Sequence, residues 1–401
     1  MIYCTGVKTT FSAAEGETVE NFLYFDSAAT SFYKPDCVSE AVLRAMQHMT
    51  SCGRGAHELS LNASRTVYHT RQLLAELFHA QGPEQVAFAY NATDALNTAI
   101  CGVVHPDDRV VTTVAEHNSV LRPLYRLEQE SGVTVDFVPA GKHGVISEEE
   151  IIRRLVSGTR ALVCAHASNL TGNMLCLDRL GAACRERGIL FVVDASQSAG
   201  ILPIDMERQK IDILCFTGHK SLLGPQGTGG LCVRSGVQVR PLRVGGSGVQ
   251  SFSKTHPVQM PTTLEAGTLN VQGIAGLGAA VQWILEQGRE NLCAKEMQLT
   301  RCFYEGVRNL PRVTVYGDFS AGLRAPIVSL NFADLDSGEA AEGLEERFGV
   351  LIRAGGHCAP RMHEALGTQQ QGAVRFSFSH FNTEEQIDRG IEAVRTLAAE
   401  L

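Results

Sequence analysis

The sequence predicts an α/β fold in which a large domain with a mainly parallel sheet is followed by a smaller α+β domain. From Val86 to Val233, short apolar runs alternate with helix-length amphipathic segments. This alternation is typical of parallel strands joined by helices that cover both faces of a sheet. After about residue 270 the pattern changes to a long helical stretch and shorter strands, which indicates a second structural unit.

The elements of the large domain follow from these apolar runs. The predicted strands are residues 86–90, 109–114, 134–138, 160–166, 189–194, 211–217 and 230–233. Amphipathic stretches such as 178–188 lie between several of them and are predicted to be helices.

A long helix is predicted over 270–310, and the boundary between the two units lies inside it. Strands at 327–332 and 373–377 and a closing helix from Thr383 follow. We place the boundary near residue 285, which gives a large domain of 21–285 and a small domain of 286–401. Residues 1–20 form a polar lead-in that could pack on the small domain.

Composition limits the class of function. The 401 residues are 44% hydrophobic and carry a net charge of −8. An acidic chain disfavours binding to nucleic acid and to anionic membrane surfaces. We expect no transmembrane helix, because no run of 18 apolar residues occurs, and no secretory signal, because no basic start precedes an apolar stretch.

The twelve cysteines are scattered along the chain. No two have the CxxC spacing of zinc ribbons, so no metal site is predicted. Scattered cysteines are typical of small buried residues in a reducing compartment. We therefore expect a cytoplasmic protein in which at most one or two cysteines are reactive.

Lys220 stands out among the seven lysines. It follows an apolar strand and precedes a glycine-rich turn, where the backbone can approach a flat ligand closely. A lysine desolvated at such a place has a lowered pKa and can form a Schiff base. Taken alone, the position is equally explained by a surface lysine. A P-loop is not predicted, because the upstream glycine is missing and a histidine intervenes.

Neighbouring strand ends offer the other groups that a pyridoxal-phosphate cofactor requires, at the edge where α/β sheets bind ligands. Asp194 ends a strand and would keep the pyridine nitrogen protonated. Thr93 opens a helix whose amides suit a phosphate, and His117 could stack on the ring. Alone, each is equally explained as a helix cap or a structural histidine. Together they predict a pyridoxal-phosphate site.

The motifs around these residues resemble those of the class V, fold type I pyridoxal-phosphate enzymes, in the branch of cysteine desulfurases and selenocysteine lyases. The resemblance runs from Tyr24 to the end of the chain. Its motifs are Gly-Arg-Gly-Ala-His at 53–57, Glu-His-Asn at 116–118, Ser-Asn-Leu-Thr-Gly at 168–172, Val-Asp-Ala-Ser-Gln at 193–197, Thr-Gly-His-Lys at 217–220, Glu-Ala-Gly-Thr at 265–268 and Arg-Ala-Gly-Gly-His-Cys-Ala at 353–359.

The resemblance implies roles around the cofactor. Lys220 would carry it as a Schiff base, Gln197 would bond the ring hydroxyl, and His117 would stack and shuttle protons. Thr268 would reach the phosphate of a neighbouring subunit, which implies a homodimer. The implied cofactor-binding residues are Thr93, Asp94, His117, Asp194, Gln197, Thr217, His219, Lys220 and Thr268.

The resemblance also implies a substrate site and a nucleophile. His57, Asn169, Arg353 and Arg375 would bind the substrate, and an arginine fork such as that of Arg375 suits a carboxylate. Cys358 stands in the family's Arg-x-Gly-x-x-Cys-Ala pattern, where His357 and Arg353 would favour the thiolate. The implied catalytic residues are Lys220, Cys358 and His117.

The implied function is a desulfurase that converts L-cysteine to L-alanine and transfers the sulfur to Cys358 as a persulfide, for delivery to an acceptor protein. Three alternatives stay open at this point. They are a selenocysteine lyase, a class V transaminase or lyase without sulfur transfer, and a non-catalytic protein of the same fold. The complete set of Lys220, Asp194, His117 and Arg375 argues against the last.

Overall fold

The computed structural model describes residues 22–53 and 55–401. Residues 1–21 and Arg54 lie outside the described residues, so the suggestion that the lead-in of 1–20 packs on the small domain also concerns residues outside them. The helices are α1 (Asp36–His48), α2 (Glu58–Phe78), α3 (Ala92–Val103), α4 (Asn118–Ser131), α5 (Glu148–Arg154), α6 (Leu177–Arg187), α7 (Val271–Gln287), α8 (Arg289–Val307), α9 (Ser337–Phe348), α10 (Pro360–Leu366) and α11 (Glu384–Glu400). The strands are β1 (Leu23–Tyr24), β2 (Val86–Ala89), β3 (Arg109–Thr113), β4 (Thr134–Val138), β5 (Thr159–Ala165), β6 (Leu190–Asp194), β7 (Ile213–Thr217), β8 (Gly229–Val233), β9 (Val313–Tyr316), β10 (Ile327–Phe332), β11 (Val350–Leu351), β12 (Arg353–Gly355) and β13 (Ala373–Ser377).

The large sheet has seven strands in the order β2-β8-β7-β6-β5-β3-β4. The five strands from β7 to β4 are parallel, whereas β8 runs antiparallel to both β7 and β2. The predicted α/β class with a mainly parallel sheet is therefore confirmed, and each of the seven predicted strands forms.

Helices bury both faces of this sheet, as its apolar strands require. One core lies under α3 and α4 and includes Leu96 and Leu124. The opposite core lies under α2, α6 and α7 and includes Leu74 and Leu180. Because both faces are covered, polar groups gather at the strand ends.

The small domain packs α8, α9 and α11 on an antiparallel sheet of order β12-β13-β10-β9. Phenylalanines fill its core, and the ring centroids of Phe303 and Phe376 lie 4.7 Å apart. Replacing such a ring by alanine typically costs about 3–5 kcal/mol. β1 pairs with β11, so Phe25 also joins this core, although the sequence assigned residues from 21 onward to the large domain. The boundary near residue 285 stays a prediction.

The helix predicted over 270–310 is in fact two helices, so the prediction of one continuous helix was wrong. α7 ends at Gln287 and α8 begins at Arg289. Gly288 between them has a φ of 81°, a conformation that glycine adopts without steric cost and that a right-handed helix cannot contain.

Three further observations concern the described part of the chain. None of its helices is both long and apolar enough to cross a membrane. In the same residues, no cluster of His, Cys, Asp and Glu side chains could hold a metal ion. The eleven cysteines found there are free thiols.

Candidate active site

One cavity of about 280 Å³ lies where β3, β5, β6 and β7 end and where α3 and α4 begin. This is the edge at which open α/β sheets bind ligands. Eight residues predicted for the site line it: Thr93, His117, Asn169, Asp194, Gln197, Thr217, His219 and Lys220.

Lys220 reaches this cavity from the turn after β7. Within the described residues its ammonium has no hydrogen-bond partner, and burial, reinforced by the charge of Arg375, lowers its pKa from 10.5 to about 8. Gly218 allows the turn, because a Cβ there would lie 2.1 Å from Thr228 Oγ1. Near neutral pH the Lys220 amine therefore loses its proton far more readily than that of an exposed lysine.

Asp194 ends β6 and is buried. Its Oδ1 accepts hydrogen bonds from Ser196 N (2.9 Å) and Ser196 Oγ (2.5 Å). These bonds fix the carboxylate orientation and leave Oδ2 without a hydrogen bond from the described residues. An oriented buried carboxylate of this kind can hold a protonated ring nitrogen.

The N-terminus of α3 forms another wall of the cavity together with the end of β7. Thr217 Oγ1 is buried there and has no hydrogen-bond partner among the described residues. Thr93 Oγ1 lies 2.7 Å from Ser119 Oγ. His219 Nδ1 contacts Thr30 Oγ1 at 3.0 Å, and burial lowers the pKa of His219 to about 4. The unpaired Thr217 hydroxyl beside the amides of a helix start suits an anion.

His117 is the N-cap of α4. Its Nδ1 accepts a hydrogen bond from Ser119 N at 3.0 Å, which places the proton of the neutral ring on Nε2. Burial lowers the pKa of His117 to about 4, so the ring is uncharged at neutral pH. A neutral ring can stack on a cofactor without a charge to desolvate.

Arg375 lies behind Asn169 and is 1% exposed. Its Nη1 donates to Asn169 O and its Nη2 to Asp26 Oδ1, both at 3.0 Å. Arg375 Nε and Asn169 Oδ1 remain buried without partners in the part of the chain that the structure describes. This end of the site therefore keeps unsatisfied polar groups that a carboxylate and an amine could satisfy.

Cys358 lies on the turn between β12 and α10, where His357 and Cys358 have φ values of 45° and 55°. Two hydrogen bonds hold the turn against the large domain: Asn118 N donates to Cys358 O (2.8 Å), and Asn169 Nδ2 donates to His357 O (2.7 Å).

The half-buried Cys358 borders a groove of about 360 Å³ along α4, which we call the α4 groove, and a second groove of about 550 Å³. The α4 groove shares Thr93, His117 and Ser119 with the cavity.

The prediction that His357 favours the thiolate form of Cys358 needs correction. The His357 ring is buried, its Nε2 lies 2.9 Å from Ala373 O, and burial lowers its pKa to about 3. A neutral imidazole supplies no positive charge. Arg353 is exposed and lines the second groove together with Cys358, so it still offers a positive charge there.

Six predicted site residues do not line the cavity: Arg353, Arg375 and Cys358, which are described above, and Asp94, Thr268 and His57. Arg243 Nη2 binds both oxygens of Asp94 at 2.6 and 2.7 Å, on the surface outside the cavity. Thr268 lines a separate small pocket with Glu265. His57 is exposed at the start of α2.

Sequence reasoning missed three residues that organise the cavity. Ser119 joins Thr93 to His117, and Ser196 orients Asp194. Glu116 is fully buried, binds Thr113 Oγ1 and Ala165 N, and has its pKa raised to about 8 by burial. Each lies within two residues of a predicted site residue at a strand end or helix start, which was the available signal.

Comparison with known sequences agrees with this arrangement. A family model described as aminotransferase class-V matches residues 23–389. A probable cysteine desulfurase of Methanothermobacter thermautotrophicus is 31% identical over 386 residues, which cover 95% of this chain and 96% of that protein. A protein named cysteine desulfurase IscS from Shewanella amazonensis is also 31% identical and covers 93% of this chain and 92% of its own.

Solved structures give the same result. The apo structure of a cysteine desulfurase from Thermococcus onnurineus NA1 superposes with a TM-score of 0.89 at 30% identity and covers 95% of both chains. The cysteine desulfurase CsdA from Escherichia coli superposes with a TM-score of 0.82 at 26% identity, over 94% of this chain and 95% of that one.

Proposed function

The chain belongs to the aminotransferase class-V family, and from that premise we propose that it is a pyridoxal-phosphate-dependent cysteine desulfurase. It converts L-cysteine to L-alanine and transfers the sulfur to Cys358 as a persulfide. One observation carries the proposal: Cys358 borders a groove that shares a wall with the cavity of Lys220. The relatives named as cysteine desulfurases over the full chain length support it.

The cavity residues fit pyridoxal phosphate. The unpartnered Thr217 Oγ1 beside the start of α3 suits the phosphate, with Thr93 and His219 as further candidates. Asp194 offers an oriented carboxylate for the ring nitrogen, and Lys220 offers an amine with a lowered pKa for the Schiff base. When bound, the cofactor supplies an electron sink that stabilises negative charge on the substrate Cα.

The substrate is oriented by the groups behind Asn169. Arg375 takes the carboxylate through its free Nε–H, and Asn169, His57 and Arg353 complete the proposed set. Gln197, whose Nε2 donates to Ala28 O at 3.1 Å, keeps its amide oxygen for the ring hydroxyl. A fixed substrate presents one Cα–H to Lys220.

Lys220 Nζ removes the proton from Cα of the bound cysteine, and the neutral His117 stacks above the site and moves a proton through Nε2. The Cys358 thiolate then attacks the substrate sulfur. A sulfur–sulfur bond forms as the substrate Cβ–S bond breaks. The electron pair of the broken bond stays with the carbon skeleton, which takes up a proton at Cβ. The proton held by Lys220 returns to Cα, and the product leaves as alanine.

The proposal includes a homodimer in the reducing cytoplasm, with an acceptor protein for the sulfur. Thr268 lies outside the chain's own cavity, as expected of a residue that completes a partner's site. A thiolate nucleophile persists in a reducing compartment, and the eleven described cysteines are unpaired.

The decisive experiment incubates the purified protein with L-cysteine and measures alanine and a persulfide on the Cys358 peptide by mass spectrometry. Cys358→Ala should abolish persulfide formation, whereas Cys302→Ala, at an exposed cysteine on α8, should not. Normal sulfide release by Cys358→Ala would refute the assignment of the nucleophile.

The same two variants separate a desulfurase from a selenocysteine lyase. Selenium leaves carbon more easily than sulfur. A lyase specific for selenocysteine would therefore still produce alanine from selenocysteine in the Cys358→Ala variant. A cysteine desulfurase loses alanine production from L-cysteine in that variant.

A further inference from the structure

The α4 groove next to Cys358 has an unusual charge. Its lining includes Arg122 and Arg126 and no carboxylate. The second groove beside Cys358 is mixed, because Glu364 lies there with Arg353. The chain as a whole carries a net charge of −8. A purely cationic groove on an acidic protein concentrates anions locally.

The two arginines act together because they lie four residues apart and therefore on the same face of α4. Arg122 is exposed and has no hydrogen bond or ion pair with any described residue. Arg126 donates to Cys101 Sγ at 3.0 Å and lies 3.9 Å from Glu130, an exposed and weak pair. His117, which lines the same groove, is neutral. The positive charge of the groove is therefore largely unpaired.

We propose that the α4 groove admits small thiols as sulfur acceptors in addition to the acceptor protein, and that Arg122 and Arg126 favour thiols that carry a carboxylate. The proposal rests on the desulfurase function, because it concerns the persulfide that this reaction leaves on Cys358. A guanidinium binds a carboxylate through two parallel hydrogen bonds. A groove of about 360 Å³ lies in the size range of small-molecule sites.

The transfer step is an exchange between a thiolate and a persulfide. The acceptor thiolate attacks the outer sulfur of the Cys358 persulfide and forms a new sulfur–sulfur bond. The bond between that sulfur and Cys358 Sγ breaks, and its electron pair stays on Sγ as a thiolate. The acceptor leaves as a persulfide, and no further oxidant or reductant takes part.

Three thiols that differ in charge test the proposal. The protein is loaded with L-cysteine and desalted, and the decay of the Cys358 persulfide is followed by mass spectrometry. The added thiol is 3-mercaptopropionate, 2-mercaptoethanol or cysteamine, at equal thiolate concentration. We expect the anionic thiol to react about tenfold faster than the cationic one, as two partly solvated charges allow. The double variant R122E/R126E should reverse the order.

Arg301→Glu is the matched control, because it makes the same charge change at an exposed arginine on α8 that lines neither groove. It should keep the wild-type order of the three thiols. Equal rates for the three thiols in the wild type would overturn the proposal. An equal change for all three in R122E/R126E would overturn it as well, because that result indicates a general structural effect.

Failure of the proposed desulfurase function can be distinguished from failure of the proposal about the α4 groove. If L-cysteine yields neither alanine nor a persulfide, the function in the previous section is wrong. Inorganic polysulfide then loads Cys358 directly, and the thiol series still decides whether the α4 groove selects by charge.

Discussion

Lys220 and Asp194 stand at the ends of buried parallel strands, whereas Cys358 stands on a turn between the three-residue strand β12 and the seven-residue helix α10. On the cofactor side, burial holds the pKa of Lys220 at about 8 and that of His117 at about 4. On the sulfur side, Cys358 is half-buried and borders two open grooves.

The difference suits two chemical tasks. Proton removal from Cα gains from a buried site in which a lysine amine loses its proton more readily and charges interact strongly. Sulfur transfer needs a nucleophile that first meets the substrate and then an acceptor from solvent. A fully buried cysteine, such as Cys164 or Cys215, cannot meet an acceptor, and burial raises the pKa of both thiols well above normal.

The loop of residues 169–172 connects the cofactor side with the cysteine turn, together with the bond from Asn118 N to Cys358 O. Asn169 lines the cavity and also binds His357 O on the cysteine turn. Small-domain donors bind the four consecutive carbonyls of 169–172. They are Arg375 Nη1 to Asn169 O (3.0 Å), Ser329 Oγ to Leu170 O (2.5 Å), Arg324 Nη2 to Thr171 O and Ala325 N to Gly172 O (2.9 Å).

The largest expected effect lies on the cofactor side. Lys220→Ala should reduce alanine formation at least about 10³-fold, because it removes both the cofactor anchor and the proton acceptor. The measurement is covalent retention of pyridoxal phosphate after borohydride reduction, located by peptide mass. Lys210→Ala, at a lysine outside the cavity, is the control. Retention of the cofactor on another lysine of Lys220→Ala would contradict the assignment.

An intermediate effect is expected where the two sides are joined. Arg324→Lys keeps a positive charge but loses the planar fork that serves the carbonyls of Asp318, Thr171 and Ile327. Single-turnover persulfide formation on Cys358 should slow about tenfold while cofactor retention stays normal.

Arg301→Lys is the matched control for this effect, since Arg301 is exposed on the same domain. Equal losses of cofactor retention and persulfide formation in Arg324→Lys would show that the two sides are not separable. The melting temperature of each variant identifies any general loss of stability.

A smaller effect concerns the pH dependence of stability in the cofactor-free protein. The pKa of Lys220 is about 8 in the folded state and 10.5 when unperturbed, so between these pH values only the unfolded chain holds the proton. Stability from this group therefore rises with pH across that window. Relative to Lys220→Met, the wild type should gain more than about 1 kcal/mol of unfolding free energy from pH 8 to 10.5. An unchanged difference in urea titrations would contradict the lowered pKa.

The smallest effect is expected at Glu116. Because burial raises its pKa to about 8, the side chain is mostly protonated at pH 7 and resembles an amide. Glu116→Gln can keep both contacts, accepting from Ala165 N and donating to Thr113 Oγ1. We expect alanine formation to fall less than about threefold at pH 7. Glu116→Ala should be far worse, and an equally large loss in both variants would show that the charge itself is needed.

Much of the site was predictable from strand ends. Thr93, Asp194 and Thr217 each stand where an apolar run stops, and parallel strands bring such positions to one edge of the sheet. The break at Gly288 was less predictable, because an isolated glycine inside a helical pattern is often tolerated. Asp94 was placed with the cofactor residues by its position, yet its carboxylate binds Arg243, which is 149 residues away in the chain.

The sequence alone is enough to predict which polar residues follow each parallel strand and that Lys220 is the cofactor lysine. Local periodicity and composition specify where strands stop. The tertiary structure was needed to show which site side chains are charged and which are joined by hydrogen bonds. His357 is neutral because burial lowers its pKa to about 3, and Asn118 and Asn169 tie the backbone of Cys358 and His357 to the large domain. Burial and hydrogen bonding of this kind depend on residues far apart in the chain, which no local pattern records.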